Sequence, residues 1–173
     1  MSAMQRNKGI RGEREVAGLI RDWLGLDIRR NWQQQSAEGG ADLSGVPGWA
    51  VEVKFADLFA AAWWRQACNQ GERAGAAPAL IYRLTGAGRG RHILDKWRVI
   101  VRLEDLTPID CDHDETAEIS LRAWLGIVRE QLSSQAMLAE IAAACSPPAR
   151  DGDDASSCAR HAPASADPLR QYP

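Results

Sequence analysis

The stretch from Ala41 to Phe55, ADLSGVPGWAVEVKF, constrains the fold more than any other part of the chain. WAVEVKF alternates with a period of two, so Val51, Val53 and Phe55 share one face of a strand and Glu52 and Lys54 the other. ADLS reads as a short strand before it, and Gly45-Val46-Pro47-Gly48 between them is turn chemistry. The expectation is a hairpin with Asp42 on one strand and Glu52 and Lys54 on the next. A two-residue turn centred on Val46-Pro47 would pair Asp42 with Val51, whereas an odd-numbered loop or a bulge would set Asp42 across from Glu52. In either register the two carboxylates come within reach of one ion. A strand face carrying an acid and an ammonium, with a second acid beside it, is either a solvated edge or a metal site.

Around this hairpin the pattern is α/β. Val16, Leu19, Ile20, Trp23 and Leu24 recur at helical spacing within 8–24, and Gly25 is a plausible C-cap. LDIRRNW reads as a strand, and QQQSAEGG as a polar loop leading to the hairpin. A second helix is expected over 57–74, stopped by Gly75, then a strand in PALIYRL, a basic turn in TGAGRGR and a strand in WRVIVRL. Helix, three strands, helix, two strands implies a mixed central sheet flanked by helices. Beyond Leu103 comes an acidic connector, then a helix capped by Ser120 and carrying Trp124, Leu125, Ile127, Val128 and Leu132. From Ser146 onward the chain is rich in Pro, Ala, Ser and Asp and is expected to be disordered. The expected division is therefore a domain over 1–106, an acidic connector and C-terminal helix over 107–145, and a disordered tail over 146–173.

Charge separates along the same line. The formal net charge of −2 conceals a basic first part and an acidic remainder, and the basic part suits an anionic partner such as nucleic-acid phosphate. Four scattered cysteines without a CxxC pair, and three distant histidines, argue against a structural zinc site. Cys68 is expected in the core. No apolar run is long enough to span a bilayer, and the polar start MSAMQRNKGIRGE does not read as a signal peptide. A cytoplasmic protein without membrane contact is expected.

Two carboxylates converging from adjacent strands can hold Mg²⁺, a hard cation that keeps waters and substrate phosphate as its remaining ligands. Such an ion acidifies bound water and offsets charge on a phosphate under attack. Lys54, on the face of Glu52, can orient the water or stabilise the transition state.

Asp42 in ADL followed by Glu52-Val53-Lys54 resembles the motif of the PD-(D/E)xK nuclease superfamily, with Ala41 where that pattern has a proline that is not a ligand. KGIRGEREV, residues 8–16, is similar to the opening of archaeal-type Holliday-junction resolvases, and so is the order of the two motifs. The whole resembles endonucleases encoded in phages and prophages, over roughly residues 7–103.

That resemblance implies a restriction-endonuclease-like core and a metal-dependent endodeoxyribonuclease. Glu13, Asp42, Glu52 and the carbonyl of Val53 would bind Mg²⁺, with Mn²⁺ able to substitute. Lys54 would assist the attacking water, and cleavage would leave a 5′ phosphate. Gln66 is the candidate for a polar helix residue placed against the site. Lys8, Arg11, Arg30, Ser36 and Arg83 are candidate nucleic-acid contacts, Arg30 and Ser36 by their place in RRNWQQQSAEGG. Tyr82, Arg89, Arg91, Lys96 and Arg98 are further candidates for phosphate. The resemblance also implies a homodimer acting on branched DNA. A nuclease of the same fold acting on flaps, ends or single strands is the alternative, as is a non-catalytic DNA-binding module. The acidic C-terminal region would suit a protein partner.

Overall fold

A strand that alternates apolar and polar residues normally lies with one face in water. Trp49–Ala56 does not: its first five residues are all buried, Ala50 and Glu52 as completely as Val51 and Val53. The cause is its central place in a sheet covered on both sides.

The structure, a computed structural model, describes residues 3–31, 40–86, 90–106 and 115–145. Its elements are α1 (Ala3–Leu24), β1 (Arg29–Arg30), β2 (Leu43–Ser44), β3 (Trp49–Ala56), α2 (Ala62–Ala74), β4 (Ala77–Leu84), α3 (Ile93–Lys96), β5 (Arg98–Arg102), β6 (Thr116–Ser120) and α4 (Leu121–Cys145). The strands form one sheet in the order of the chain, β1 to β6. All neighbours are antiparallel except β3 and β4, whose parallel pairing follows from α2 crossing over between them. This is the mixed sheet flanked by helices expected from the sequence.

Alternation sorts the strand residues onto two faces. Val51, Val53, Ala79, Ile81, Val99 and Val101 join Val16 and Ile20 of α1 and Leu121, Trp124, Leu125 and Val128 of α4 in one core. Trp49 packs edge-on against Trp124 with ring centroids 5.5 Å apart. Leu80 and Tyr82 face the other way, against Ala67 and the two tryptophans of α2. Glu52 and Lys54 have the parity of that second face. Each fully buried large aliphatic or aromatic side chain contributes about 1.5–3 kcal/mol, so the first core carries most of the stability.

Two glycines set close approaches. A Cβ on Gly45, whose φ is 103°, would lie 2.4 Å from the carbonyl oxygen of Asp27, so the β2–β3 turn can sit against the chain entering β1 only without a side chain. A Cβ on Gly12 would lie 2.9 Å from that of Phe55, which brings α1 down onto β3.

Several expectations needed adjustment. The first strand is confined to Arg29–Arg30, shorter than LDIRRNW, and α3 was not anticipated. Thr116–Ser120, where only the end of the acidic connector and the cap Ser120 were expected, is strand β6. Ala117 and Ile119 pack toward the core, while Glu118 accepts hydrogen bonds from Tyr82 (2.9 Å) and Arg98 (2.8 Å). The residues beyond 106 thus complete the same sheet and core: Ser120 caps α4 by accepting from the Ala123 amide at 3.2 Å, and Trp124 is wholly buried. Cys68 is only partly buried. Residues 146–173, expected to be disordered, lie outside the described residues. Among the described residues no helix is long and apolar enough to cross a membrane.

Candidate active site

The hairpin register decides what Asp42 faces. Leu43 pairs with Val51, so Asp42, one residue earlier, stands across from Glu52. This is the odd-loop register, with Pro47 at the centre of the connection. The main chain around Asp42 is tied down on three sides. The Asn31 amide donates to the Asp42 carbonyl at 3.0 Å. The Asn31 side chain donates to the carbonyl of Ala41 (2.8 Å), and that of Gln70 from α2 to the carbonyl of Gly40 (3.1 Å). The Asp42 carboxylate accepts from the amide of Val53 at 2.8 Å, which aims it at the middle of β3.

Glu52 is completely buried. Its Oε1 accepts from Lys54 Nζ and, at 2.7 Å, from Gln66 Nε2. Its Oε2 is buried and receives no hydrogen bond among the described residues. An anionic oxygen withdrawn from water without a donor is costly unless something positive meets it. For Asp42, burial and then the negative charge of Glu52 push the carboxyl up to about 7. Two buried acids thus face each other, with the Lys54 ammonium against Glu52. This is a donor set that a divalent cation suits, two carboxylates being a typical protein share of a Mg²⁺ shell.

The pair opens into a cleft of about 620 Å³ whose walls also include Arg6, Lys8, Glu13, Arg30, Val53 and Gln66. Glu13 comes from α1, which packs on the opposite face of the sheet from α2, and lines the same cleft. Arg30 holds its carboxylate through Nε at 2.8 Å and through Nη2. Among the described residues no three His, Cys, Asp or Glu side chains are grouped as a metal site. The structure therefore sets Lys54 and Gln66 against Glu52, with Asp42 across from it, and places Glu13 on the wall of the same cleft, engaged by Arg30.

The candidate nucleic-acid contacts divide. Lys8 lies at the cleft, donating to Asp57 (2.6 Å) and to Thr85, with its ammonium 5.0 Å from the centre of the Phe55 ring. Arg30 lines the cleft, and Arg11 is exposed on α1. Arg83 is engaged inside the protein: it donates to Glu15 at 2.6 Å and stacks over Phe55 and Trp97 at 4.3 and 5.2 Å. Tyr82 and Arg98 are taken up by Glu118. Ser36 and Arg89 lie outside the described residues.

Sequence reasoning passed over Asn31 and Gln70, which fix the loop bearing Asp42. Gln70 lies four residues beyond Gln66, one turn further along the same helix face, and that spacing was the available signal. Asn31 offered none, because its partners are ten and eleven residues away. A larger cleft of about 800 Å³ lies between α4 and the β2–β3 turn. It is lined by Trp49, Leu106 and Ile127 among others and includes none of the acids of the hairpin, so its size does not make it the reactive site.

A family described as phage putative PDDEXK endonuclease matches residues 4–116, well over half of the chain, and the chain belongs to it. No curated protein matches the chain.

Proposed function

For a member of this endonuclease family, whose substrate is DNA, we propose a divalent-metal-dependent phosphodiesterase working at the Asp42–Glu52 pair, with Mg²⁺ as the ion and Mn²⁺ able to replace it. The observation that carries this is the buried Glu52 Oε2 with no donor among the described residues, across from an Asp42 carboxyl that burial, and then the charge of Glu52, push up to about 7. Asp42, Glu52 and the Val53 carbonyl would hold the ion. When bound it would acidify a water and neutralise charge on the scissile phosphate.

The chain's own groups do the rest. Gln66 and Lys54 clamp Glu52 Oε1, so Oε2 is the oxygen presented. Lys54, partly exposed at the cleft, is placed to orient the attacking water or to offset charge on the phosphate. The Val53 amide fixes the direction of Asp42. Arg30 orients Glu13 on the far wall, where an acid can join the ion's outer shell through water. Attack would displace the 3′ oxygen and leave a 5′ phosphate.

Branched DNA is the substrate this reading favours, with flaps, ends and single strands as the alternative of the same chemistry. A four-way junction needs two nicks related by two-fold symmetry, hence a homodimer. Trp124 serves the monomer core, so α4 would offer Met137, Leu138 and Ile141, which are exposed, to a second copy or to a protein partner. The test is cleavage of a labelled four-way junction beside linear duplex and single strands, with Mg²⁺ and with chelator. Paired symmetric nicks that disappear without metal and in Asp42→Ala are expected. Tight binding without cutting under every condition would replace the enzyme with a binding module.

A further inference from the structure

Between β3 and α2 the chain runs through Asp57, Leu58, Phe59, Ala60 and Ala61, directly beyond the strand that carries Glu52 and Lys54. Leu58 is 81 % exposed. A single exposed leucine is ordinary on a protein surface. This one sits in a braced loop, next in the chain to Asp57, which lines the charged cleft.

The loop is held at both feet. Asp57 accepts from Lys8, which also reaches Thr85, and Thr85 in turn donates to the carbonyl of Ala56 through its amide at 2.8 Å. At the other foot the Trp63 amide donates to the carbonyl of Ala60 at 3.0 Å. Phe59 leans on Trp63 and Tyr82, with ring centroids 5.4 and 5.2 Å away, yet remains 43 % exposed. Leu58 is thus a projecting aliphatic tip on a rigid aromatic base. It contributes to neither hydrophobic core.

Charge flanks it on both sides. Arg6 and Lys8 line the cleft on the α1 side. Arg65, on α2, is exposed beside Gln66 in a shallow polar groove that also includes Asn69 and Arg73. A phosphate backbone drawn through the cleft would have cations to either side, and the loop tip would face what the backbone carries. Leu58 is four residues beyond Lys54, so at about 3.3 Å per extended residue their Cα atoms lie within roughly 13 Å of each other. A nucleic-acid strand advances about 3.4 Å per nucleotide, so that distance covers only the few bases next to the scissile phosphate.

We propose that Leu58, backed by Phe59 on Trp63 and Tyr82, is a wedge that inserts at an unstacked base beside the scissile phosphate and would give the enzyme a preference for DNA interrupted by a branch or nick. Apolar side chains enter base steps at a cost in stacking, and the cost is least where stacking is already broken. The exposed ring edge of Phe59 offers the displaced base a surface to stack on. This rests on the nuclease reading of the cleft.

The experiment uses the full chain with a four-way junction and a matching linear duplex, each carrying 2-aminopurine at the branch or at the equivalent position. Binding is followed in chelator, so that nothing is cut. Emission from this base rises when it leaves the stack. Wild type should raise it several-fold on the junction. Leu58→Ser, at a position too exposed to disturb folding, should lose that rise, and Leu58→Met should keep it. With Mg²⁺, the ratio of kcat/KM on junction to that on duplex should fall about tenfold in Leu58→Ser. Binding by wild type without any rise, or an equal rise in Leu58→Ser, overturns the wedge and leaves the active site standing. Failure of wild type to bind either DNA overturns the nuclease reading and the wedge with it.

Discussion

Replacing Asp42 by Asn should make the metal-free protein more stable, although it removes a residue assigned to the active site. The side chain keeps its shape, and its oxygen can still accept from the Val53 amide, now at 2.8 Å. What disappears is a buried negative charge beside Glu52. Moving the carboxyl from 3.8 to about 7 corresponds, at about 1.4 kcal/mol per tenfold, to roughly 4 kcal/mol against the ionised form. The sign is that of a group whose folded value lies above its unfolded one. Its favourable contribution is complete below about pH 4, declines as pH rises, and is gone above about pH 7. In chelator at pH 8, Asp42→Asn should therefore melt higher than wild type. At roughly 2–4 °C per kcal/mol for a chain of this size, the gap is on the order of 10 °C. It should shrink toward pH 5. Mg²⁺ should reverse the order at pH 8 by stabilising wild type alone, and should do little at pH 5, where a proton competes for the same oxygen. Thermal melts of both proteins at the two pH values, with and without Mg²⁺, measure all of this. An Asp42→Asn protein less stable than wild type in chelator at pH 8 would refute the view of the pair as an uncompensated charge awaiting a cation.

Other perturbations separate chemistry from architecture. Lys54→Met should lower the cleavage rate by about 10²–10⁴-fold while binding of uncut junction in chelator changes little, as measured by single-turnover cleavage and gel shift. Gly12→Ala should cost about 1–3 kcal/mol in urea unfolding, because its methyl meets the Phe55 Cβ at 2.9 Å and α1 must lift. Trp124→Ala should cost about 3–5 kcal/mol, as expected for a wholly buried aromatic in the core shared with Trp49. A chain ending at residue 106 should fail to give a cooperative melt, since it lacks β6 and α4.

How much of this could be read in the sequence depended on how local the cause was. The β2–β3 hairpin was legible because alternation and the Gly45–Gly48 turn lie within one short window. Its register was left open between two choices, and the structure adopts the one that sets Asp42 against Glu52. The burial of Glu52 was not legible, because an acid on the polar side of an alternating strand looks solvated. It is α2, crossing between β3 and β4, that covers that face. β6 was hidden by its charge: Glu118 in TAEIS reads as more of the acidic connector until Arg98 and Tyr82 are seen to meet it. Arg83 and Arg30 look alike in the sequence. One is stacked on two rings and bound to Glu15, the other faces a cleft, and only tertiary structure tells them apart.

The central claim is that Asp42 and Glu52 together hold a divalent cation in the cleft. A crystal of the Lys54→Met protein with an uncleaved oligonucleotide, soaked with Mn²⁺, tests it most directly through the anomalous signal of the metal. A peak bonded to the Asp42 carboxylate and to Oε2 of Glu52 is expected, at distances near those of a hard divalent ion, about 2.0–2.3 Å. A well-occupied peak elsewhere, with Glu52 Oε2 still lacking any partner, would contradict it.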